Sequence, residues 1–201
     1  MFTGIVSAAV IEDIKKEEDG WILQVAAPLI APKVQLGDSV AIDGACLSVF
    51  KVEGNVLWFY VSPESIDKTI IRYYSHGAKV NIELPMQPSG YLGGHYVLGH
   101  VDATAIVKKI IEGDKAWFFT ISIPKPFTKY VVYKGSIAIN GVSLTINQVV
   151  GQDIELCIIP ITIEKTNMSL LKENDRVNIE FDILAKYTEQ LLLKRENQHV
   201  Q

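Results

Sequence analysis

The sequence predicts an all-β protein in which one small barrel is written twice and followed by a helix. Three observations predict it: an internal repeat held in one register, short β-branched and aromatic runs separated by glycine turns, and a helical period confined to the C-terminal end.

The repeat is the strongest of these. Gly37-Asp38-Ser39-Val40-Ala41-Ile42-Asp43-Gly44-Ala45-Cys46-Leu47-Ser48-Val49 lies over Lys134-Gly135-Ser136-Ile137-Ala138-Ile139-Asn140-Gly141-Val142-Ser143-Leu144-Thr145-Ile146, an offset of 97. Val61 to Thr69 lies over Ile158 to Thr166, and Val80-Asn81-Ile82-Glu83 over Val177-Asn178-Ile179-Glu180, at the same offset. At the start of each half, Thr3-Gly4-Ile5-Val6-Ser7-Ala8 answers Leu98-Gly99-His100-Val101-Asp102-Ala103 at an offset of 95, which predicts a two-residue difference in an intervening loop.

Within each half, runs such as Trp21 to Val25 and Trp117 to Ile121 have strand composition. Gly20, Gly54, Gly113 and Gly151 punctuate them as turns. Roughly six strands per half predict a closed or nearly closed barrel, which also removes exposed edges. Short helices are expected within Ser65 to Tyr74 and Thr162 to Leu171, capped by Ser65 and Thr162. Leu84-Pro85-Met86-Gln87-Pro88-Ser89-Gly90 reads as the linker, so the domains are drawn at 1–88 and 89–183. In the remaining 184–201, Leu184, Tyr187 and Leu191 recur at helical spacing. This helix either lies across a barrel or self-associates.

Bulk properties remove several functions. The 201 residues are 48% hydrophobic and 21% charged with a net charge of −4, so no basic face invites nucleic acid. Charge gathers only at Lys15 to Asp19 and from Lys194 onward, both read as solvated surface. No apolar run approaches the ~20 residues of a membrane helix. The start, Met1-Phe2-Thr3-Gly4, lacks a basic leader, and Cys46 and Cys157 read as two reduced thiols, so a cytoplasmic protein is expected. His95 and His100 lack a third ligand at metal spacing, so no metal is expected.

The ordered set Met1-Phe2-Thr3-Gly4-Ile5-Val6, Gly93-Gly94-His95, Gly99-His100-Val101-Asp102, Tyr133-Lys134-Gly135-Ser136, Gly141-Val142-Ser143-Leu144-Thr145, Asn178-Ile179-Glu180 with Asp182, and Ala185-Lys186-Tyr187-Thr188-Glu189 resembles the riboflavin synthase family from Met1 to about Leu193. The resemblance implies two six-stranded antiparallel Greek-key barrels and a C-terminal helix that gathers three chains. It implies no metal or nicotinamide cofactor. It further implies sites between the N-barrel of one chain and the C-barrel of a neighbour, with lumazine synthase as a further partner. The implied reaction is a transfer of a four-carbon unit between two molecules of 6,7-dimethyl-8-ribityllumazine, giving riboflavin and a ribitylamino-pyrimidinedione. Donor and acceptor are the same compound, so two copies of one binding fold suffice. Holding them face to face makes their encounter effectively unimolecular.

Five residues are assigned to that chemistry. Cys46 and Ser143 occupy one repeat position; a small residue there ordinarily just packs, but the resemblance puts substrate beside both. Ser143 is the candidate for assisting addition to the acceptor ring, directly or through a water, while Cys46 lines the other ring. Lys134 and Asp182 are charged only in the second half, where Gly37 and Pro85 answer them; a Lys–Asp pair there would orient Ser143 or shuttle protons. His100, opposite Ile5, is the candidate base for the ring-methyl proton, with Lys134 as the alternative, and His95 is read as structural. Ser48, Ser62, Ser65, Leu47, Leu144, Thr145 and Thr162, with backbone at Gly4, Ile5, Val6, Gly99, Val101, Ile159 and Pro160, are expected to contact the ring and ribityl chain. One departure from the family is Thr69-Ile70-Ile71, where Thr-Asn-Leu is usual; Thr166-Asn167 keeps the asparagine. A non-catalytic relative that holds a lumazine or flavin, as fluorescent lumazine proteins do, is the competing class.

Overall fold

The computed structural model describes residues 1–198. The first half forms β1 (Ser7–Glu17), β2 (Gly20–Ala26), β3 (Ser39–Ile42), β4 (Ala45–Glu53), β5 (Val56–Val61) and β6 (Lys79–Glu83). The second forms β7 (Ala103–Ile111), β8 (Trp117–Ser122), β9 (Ser136–Ile139), β10 (Val142–Val150), β11 (Asp153–Ile158) and β12 (Arg176–Phe181). Each set closes into a barrel with every pairing antiparallel, in the orders β1-β2-β5-β4-β3-β6 and β10-β11-β8-β7-β12-β9. Strand alternation fills each interior: Leu23, Val40, Leu57, Phe59 and Ile82 in the first barrel, and Phe119, Ile137, Leu156, Val177 and Ile179 in the second.

The pairings refine the repeat. Ser7 pairs with Ile82 and Ala103 with Ile179, so the first strands correspond at an offset of 96, not 95. Trp21 and Trp117 keep 96, while Ser39 and Ser136 stand at 97. The expected two-residue loop difference is therefore two single insertions, one ahead of β7 and one between β8 and β9. Register shifts at Ile11/Asp13 and Val107/Lys109, and at Val49/Lys51 and Ile146/Gln148, put bulges at matching places in both copies. Such bulges bend long strands enough to close small barrels.

The short helices begin earlier than the sequence suggests. Helices α1 (Pro63–Lys68) and α2 (Pro160–Lys165) each place a proline in the first turn. Ser62, not Ser65, caps α1 by accepting from the Ser65 N–H, and α2 has no side-chain cap, so Thr162 is not one. Thr69 and Thr166 instead cap the 3-10 turns that follow. Helix α3 (Ile183–Gln198) ends the described chain. Its inner side is tied to the second barrel by Glu189, which accepts from Tyr130 and pairs with Lys129, while Leu184, Tyr187 and Leu191 stay exposed.

The barrels meet at two matching hairpin tips. Asp43-Gly44 and Asn140-Gly141 both take positive φ at each residue, the type I′ geometry of tight hairpins. A Cβ on Gly44 would stand 2.8 Å from the Gly141 nitrogen, so glycine is needed for the approach as well as for the turn. Asn81 Nδ2 donates to the Asn140 carbonyl at 2.9 Å, and Asn178 Nδ2 to the Asp43 carbonyl at 2.8 Å. Asn167 mirrors Ile70 and alone adds side-chain bonds, donating to Asp43 Oδ1 at 2.8 Å and accepting from Asn81 Nδ2 at 2.9 Å. Tyr74 donates to Asp43 Oδ2 at 2.6 Å. Burial pushes the Asp43 carboxyl up to about 7 against these donors, and raises Tyr74 well above its ordinary range.

Candidate active site

The outward face of β4 and β10 carries the thiol and hydroxyls that the sequence singles out. Alternation buries Ala45, Leu47 and Val49 and leaves Cys46 half-buried and Ser48 exposed; on β10, Ser143 and Thr145 hold the same outward positions. The side chain of Leu47 is in the first barrel's core and Leu144 packs on the second's, so both turn away from the face that carries Cys46 and Ser143.

Two pockets form on these faces, and they are copies. The first, about 300 Å³, is lined by Ala45, Cys46, Glu64, Ser65, Lys68 and Thr69 of the first barrel with Gly99, His100 and Val101. The second, about 350 Å³, is lined by Val142, Ser143, Ile159, Ile161, Thr162, Lys165 and Thr166 with Gly4, Ile5 and Val6. Each barrel's pocket is thus completed by the segment that leads into the other barrel. The exchange is fixed by main-chain bonds: Cys46 N–H donates to the Gly99 carbonyl at 2.8 Å, and Ser143 N–H to the Gly4 carbonyl at 2.9 Å. Phe2 N–H donates to the Val97 carbonyl at 2.6 Å and joins the two leaders. A larger cleft of about 520 Å³ opens beside the hairpin junction, and it holds none of the sequence-predicted site residues.

Glycine is required where the leaders cross. A Cβ on Gly4 would stand 2.5 Å from Ser143 Cβ, and one on Gly99 2.5 Å from Cys46 Cβ, at φ of 79° and 80°. A buried carboxylate then grips each leader by its amides. Glu83 Oε1 accepts from Thr3 N–H and Oγ1, both at 2.7 Å, and Oε2 from Gly4 N–H at 3.0 Å. Glu180 accepts from Leu98 N–H at 2.5 Å and from Gly99 and His100 N–H at 2.9 Å. Burial raises both carboxyls, Glu180 to about 7, because it outweighs the amide donors that favour the ionised form. The second leader has a further tie: Lys186 of α3 bonds Asp102 Oδ1 at 2.7 Å, and Asp102 also accepts from Phe181 N–H at 2.9 Å.

The five assigned residues do not form one cluster. His100 is exposed and lines the pocket of Cys46, not that of Ser143. Lys134 is exposed at φ 64°, donates to Asn147 Oδ1 at 3.1 Å and lines neither pocket. Asp182 accepts from Leu184 N–H at 3.0 Å in the first turn of α3. The expected Lys134–Asp182 pair is absent, and neither residue bonds Ser143, because one serves a strand end and the other a helix start. The group that reaches Ser143 is His95: its Nδ1 lies 2.8 Å from Ser143 Oγ. His95, read as structural from the sequence, is thus the residue in contact with the Ser143 hydroxyl. Its approach comes through Gly93-Gly94, which precede it in the sequence. Desolvation lowers the His95 pKa below its ordinary value, with the Asp182 charge opposing.

Ser62 and Ser65 hydroxyls lie 3.1 Å apart at the start of α1, and Ser65 lines the first pocket. Ile159 and Thr162 line the second; Pro160 opens α2 beside them. Glu64 and Lys68, and Ile161 and Lys165, were missed, although the repeat register that equates α1 with α2 also equates these pairs. Among the described residues no group of His, Cys, Asp and Glu has metal-site geometry. No helix among them is long and apolar enough to cross a membrane.

Comparison with known proteins agrees with this duplicated architecture. The lumazine binding domain matches twice, at residues 3–85 and 98–182. Riboflavin synthase of Photobacterium phosphoreum is 39% identical over 195 residues, covering 96% of this chain and 89% of its own. The Bacillus subtilis riboflavin synthase is 37% identical over 202 residues, covering 100% and 94%, and that of Schizosaccharomyces pombe is 39% identical over 196 residues, covering 96% and 94%. Among solved structures, LumP complexed with riboflavin aligns with a TM-score of 0.84 at 29% identity, covering 90% of this chain and 99% of that one. LumP complexed with 6,7-dimethyl-8-(1'-D-ribityl) lumazine aligns at 0.83 and 28%, with the same coverage. Two copies of the lumazine binding domain in one chain, together with 37–39% identity to riboflavin synthases over nearly their full length, make this chain a member of the riboflavin synthase family.

Proposed function

We propose that the chain is the transferase its family implies: two molecules of 6,7-dimethyl-8-ribityllumazine dismutate to riboflavin and 5-amino-6-ribitylaminopyrimidinedione. The observation that carries this reading is the pair of repeat-equivalent pockets, each able to hold one copy of the same compound. The units are residues 1–88 and 89–183, with 184–201 as tail.

The lumazine in the first pocket lies beside His100, which takes the proton from its ring methyl group. The lumazine in the second lies beside Ser143 and accepts the nucleophile. Leader backbone at Gly4 to Val6 and Gly99 to Val101 offers the alternating donors and acceptors that a uracil-like ring edge needs. Three chains gather through α3, bringing the first pocket of one to the second pocket of another. Two exposed apolar surfaces support this assembly: the Leu184, Tyr187, Leu191 stripe, and the second pocket's rim at Ile5 and Ile159, which are 61% and 55% exposed. Two unpaired thiols in separate barrels suit a reducing cytoplasm. Association with lumazine synthase rests on the family resemblance alone.

Anaerobic incubation with the lumazine tests the reaction. One riboflavin formed per two lumazines consumed supports it, as does its loss in His100→Ala. Binding without riboflavin would make the chain a carrier, the reading that its similarity to LumP favours. Light scattering checks the assembly: an active monomer would overturn it.

A further inference from the structure

We propose that His95 is a positioning residue for Ser143: its Nδ1–H donates to Ser143 Oγ and turns the serine's own proton toward the second pocket. Ser143 then acts as a hydrogen-bond donor to the bound ring, not as a nucleophile. This rests on the second pocket being a lumazine site.

The tautomer follows from burial. His95 is only 8% exposed, and its Nε2 is buried with no hydrogen-bond partner. A neutral imidazole carries one N–H. A proton on Nε2 would leave an orphaned donor, which proteins tolerate less readily than an orphaned acceptor. The proton therefore belongs on Nδ1, 2.8 Å from Ser143 Oγ. A second proton would orphan Nε2–H as well, and desolvation opposes it; Asp182 is the charged group whose field favours it.

The serine has no freedom to avoid this partner. A Cβ on Gly94 would strike the Thr3 carbonyl and stand 2.7 Å from Ser143 Oγ, so the segment bearing His95 is pressed on the serine. His95 N–H also donates to the Thr3 carbonyl at 3.2 Å. Ser143 Oγ makes no other hydrogen bond among the described residues: Ile5, Val6, Ile159 and Ile161 of its pocket are apolar, and Thr162, Lys165 and Thr166 there do not bond it. Its O–H is left to point at whatever fills the pocket. A ligand acceptor there, a ring nitrogen or carbonyl oxygen on which negative charge grows as a nucleophile adds, receives a donor already in place. Cys46 makes no side-chain hydrogen bond among the described residues, so the first pocket lacks this device.

Three measurements on the full chain test the idea. In His95→Asn the amide nitrogen takes the place of Nδ1 and still donates; in His95→Phe the ring volume stays and the donor goes. His95→Phe and Ser143→Ala should each lower kcat about 100-fold with little change in KM. Their double variant should be no worse than either alone. His95→Asn should recover most of the loss and show no acid limb that the wild type lacks. An Asn variant as poor as the Phe variant would overturn the proposal, since an amide supplies a donor but no base. Nitrogen-15 spectra of labelled histidine read the tautomer without turnover: a proton on Nδ1 supports the proposal, and one on Nε2 overturns it even in an active enzyme. A wild type that makes no riboflavin would sink the reaction instead, with the tautomer still measured.

Discussion

The two pockets share a frame and differ in what they present. Cys46 and Ser143, Ser65 and Thr162, Lys68 and Lys165, Thr69 and Thr166 stand at matching places. Where the first pocket adds His100 and Glu64, however, the second has Ile5 and Ile161. The first thus presents a histidine and a glutamate where the second presents two isoleucines, and the second alone holds its central hydroxyl against a histidine. A dismutation needs that division, because one of two identical molecules must give up a proton while the other takes charge onto its ring. Duplication supplied the shape twice, and side-chain divergence then gave each copy its own lining.

The comparison is broken most severely at the serine. Ser143→Ala should cost about 100-fold in kcat, whereas Cys46→Ala should cost less than about 10-fold, because Cys46 lacks a partner that orients it. Steady-state riboflavin formation reads both, and equal losses would mean that the two positions do equivalent work.

A second contrast concerns pH. Asp43 and Asn140 hold the same hairpin position, but only Asp43 titrates, and burial lifts it to about 7 from an unfolded value of about 3.9. The folded chain keeps that proton while the unfolded chain loses it. Stability from this group is therefore greatest below about pH 4 and declines as pH rises toward 7, on the order of a few kcal/mol. Asp43→Asn copies the other half: its amide accepts from Asn81 and Asn167 and donates to Tyr74. Urea midpoints at pH 5 and pH 8 should differ less in the variant than in the wild type. Glu83 and Glu180, also raised, leave a residual slope of the same sign. An unchanged difference would place the titration elsewhere.

The gentlest test restores symmetry. Ile70→Asn would let the new amide donate to Asn140 Oδ1 and accept from Asn178 Nδ2, as Asn167 does toward Asp43 and Asn81. Each bond adds about 1 kcal/mol, offset by the lost burial of Ile70, about 2 kcal/mol. The melting temperature should shift by no more than about 4 °C. A larger fall would show that the first half has repacked around isoleucine.

Much of this was legible in the residues. The repeat of Gly37 to Val49 over Lys134 to Ile146 determined two like barrels, since equal patterns of alternation close in equal ways. It also paired Cys46 with Ser143 and set the outward face of β4 and β10. Period-2 alternation decided that Leu47 and Leu144 turn inward. The helical spacing of Leu184, Tyr187 and Leu191 marked a stripe but not what it faces.

What only the tertiary structure decided is the crossing of the leaders. Repeat logic puts Gly4 with its own barrel and His100 with the second; the fold exchanges them, so His100 meets Cys46 and His95 meets Ser143. No local pattern encodes that exchange. It depends on the Phe2 and Val97 bridge, on carboxylates at Glu83 and Glu180 about 80 residues from the amides they hold, and on glycines whose need arises from a backbone passing overhead. Sequence periodicity fixes which face of a strand a side chain takes, because that is settled within a few residues. Which distant segment lies on that face is settled by how two finished barrels pack.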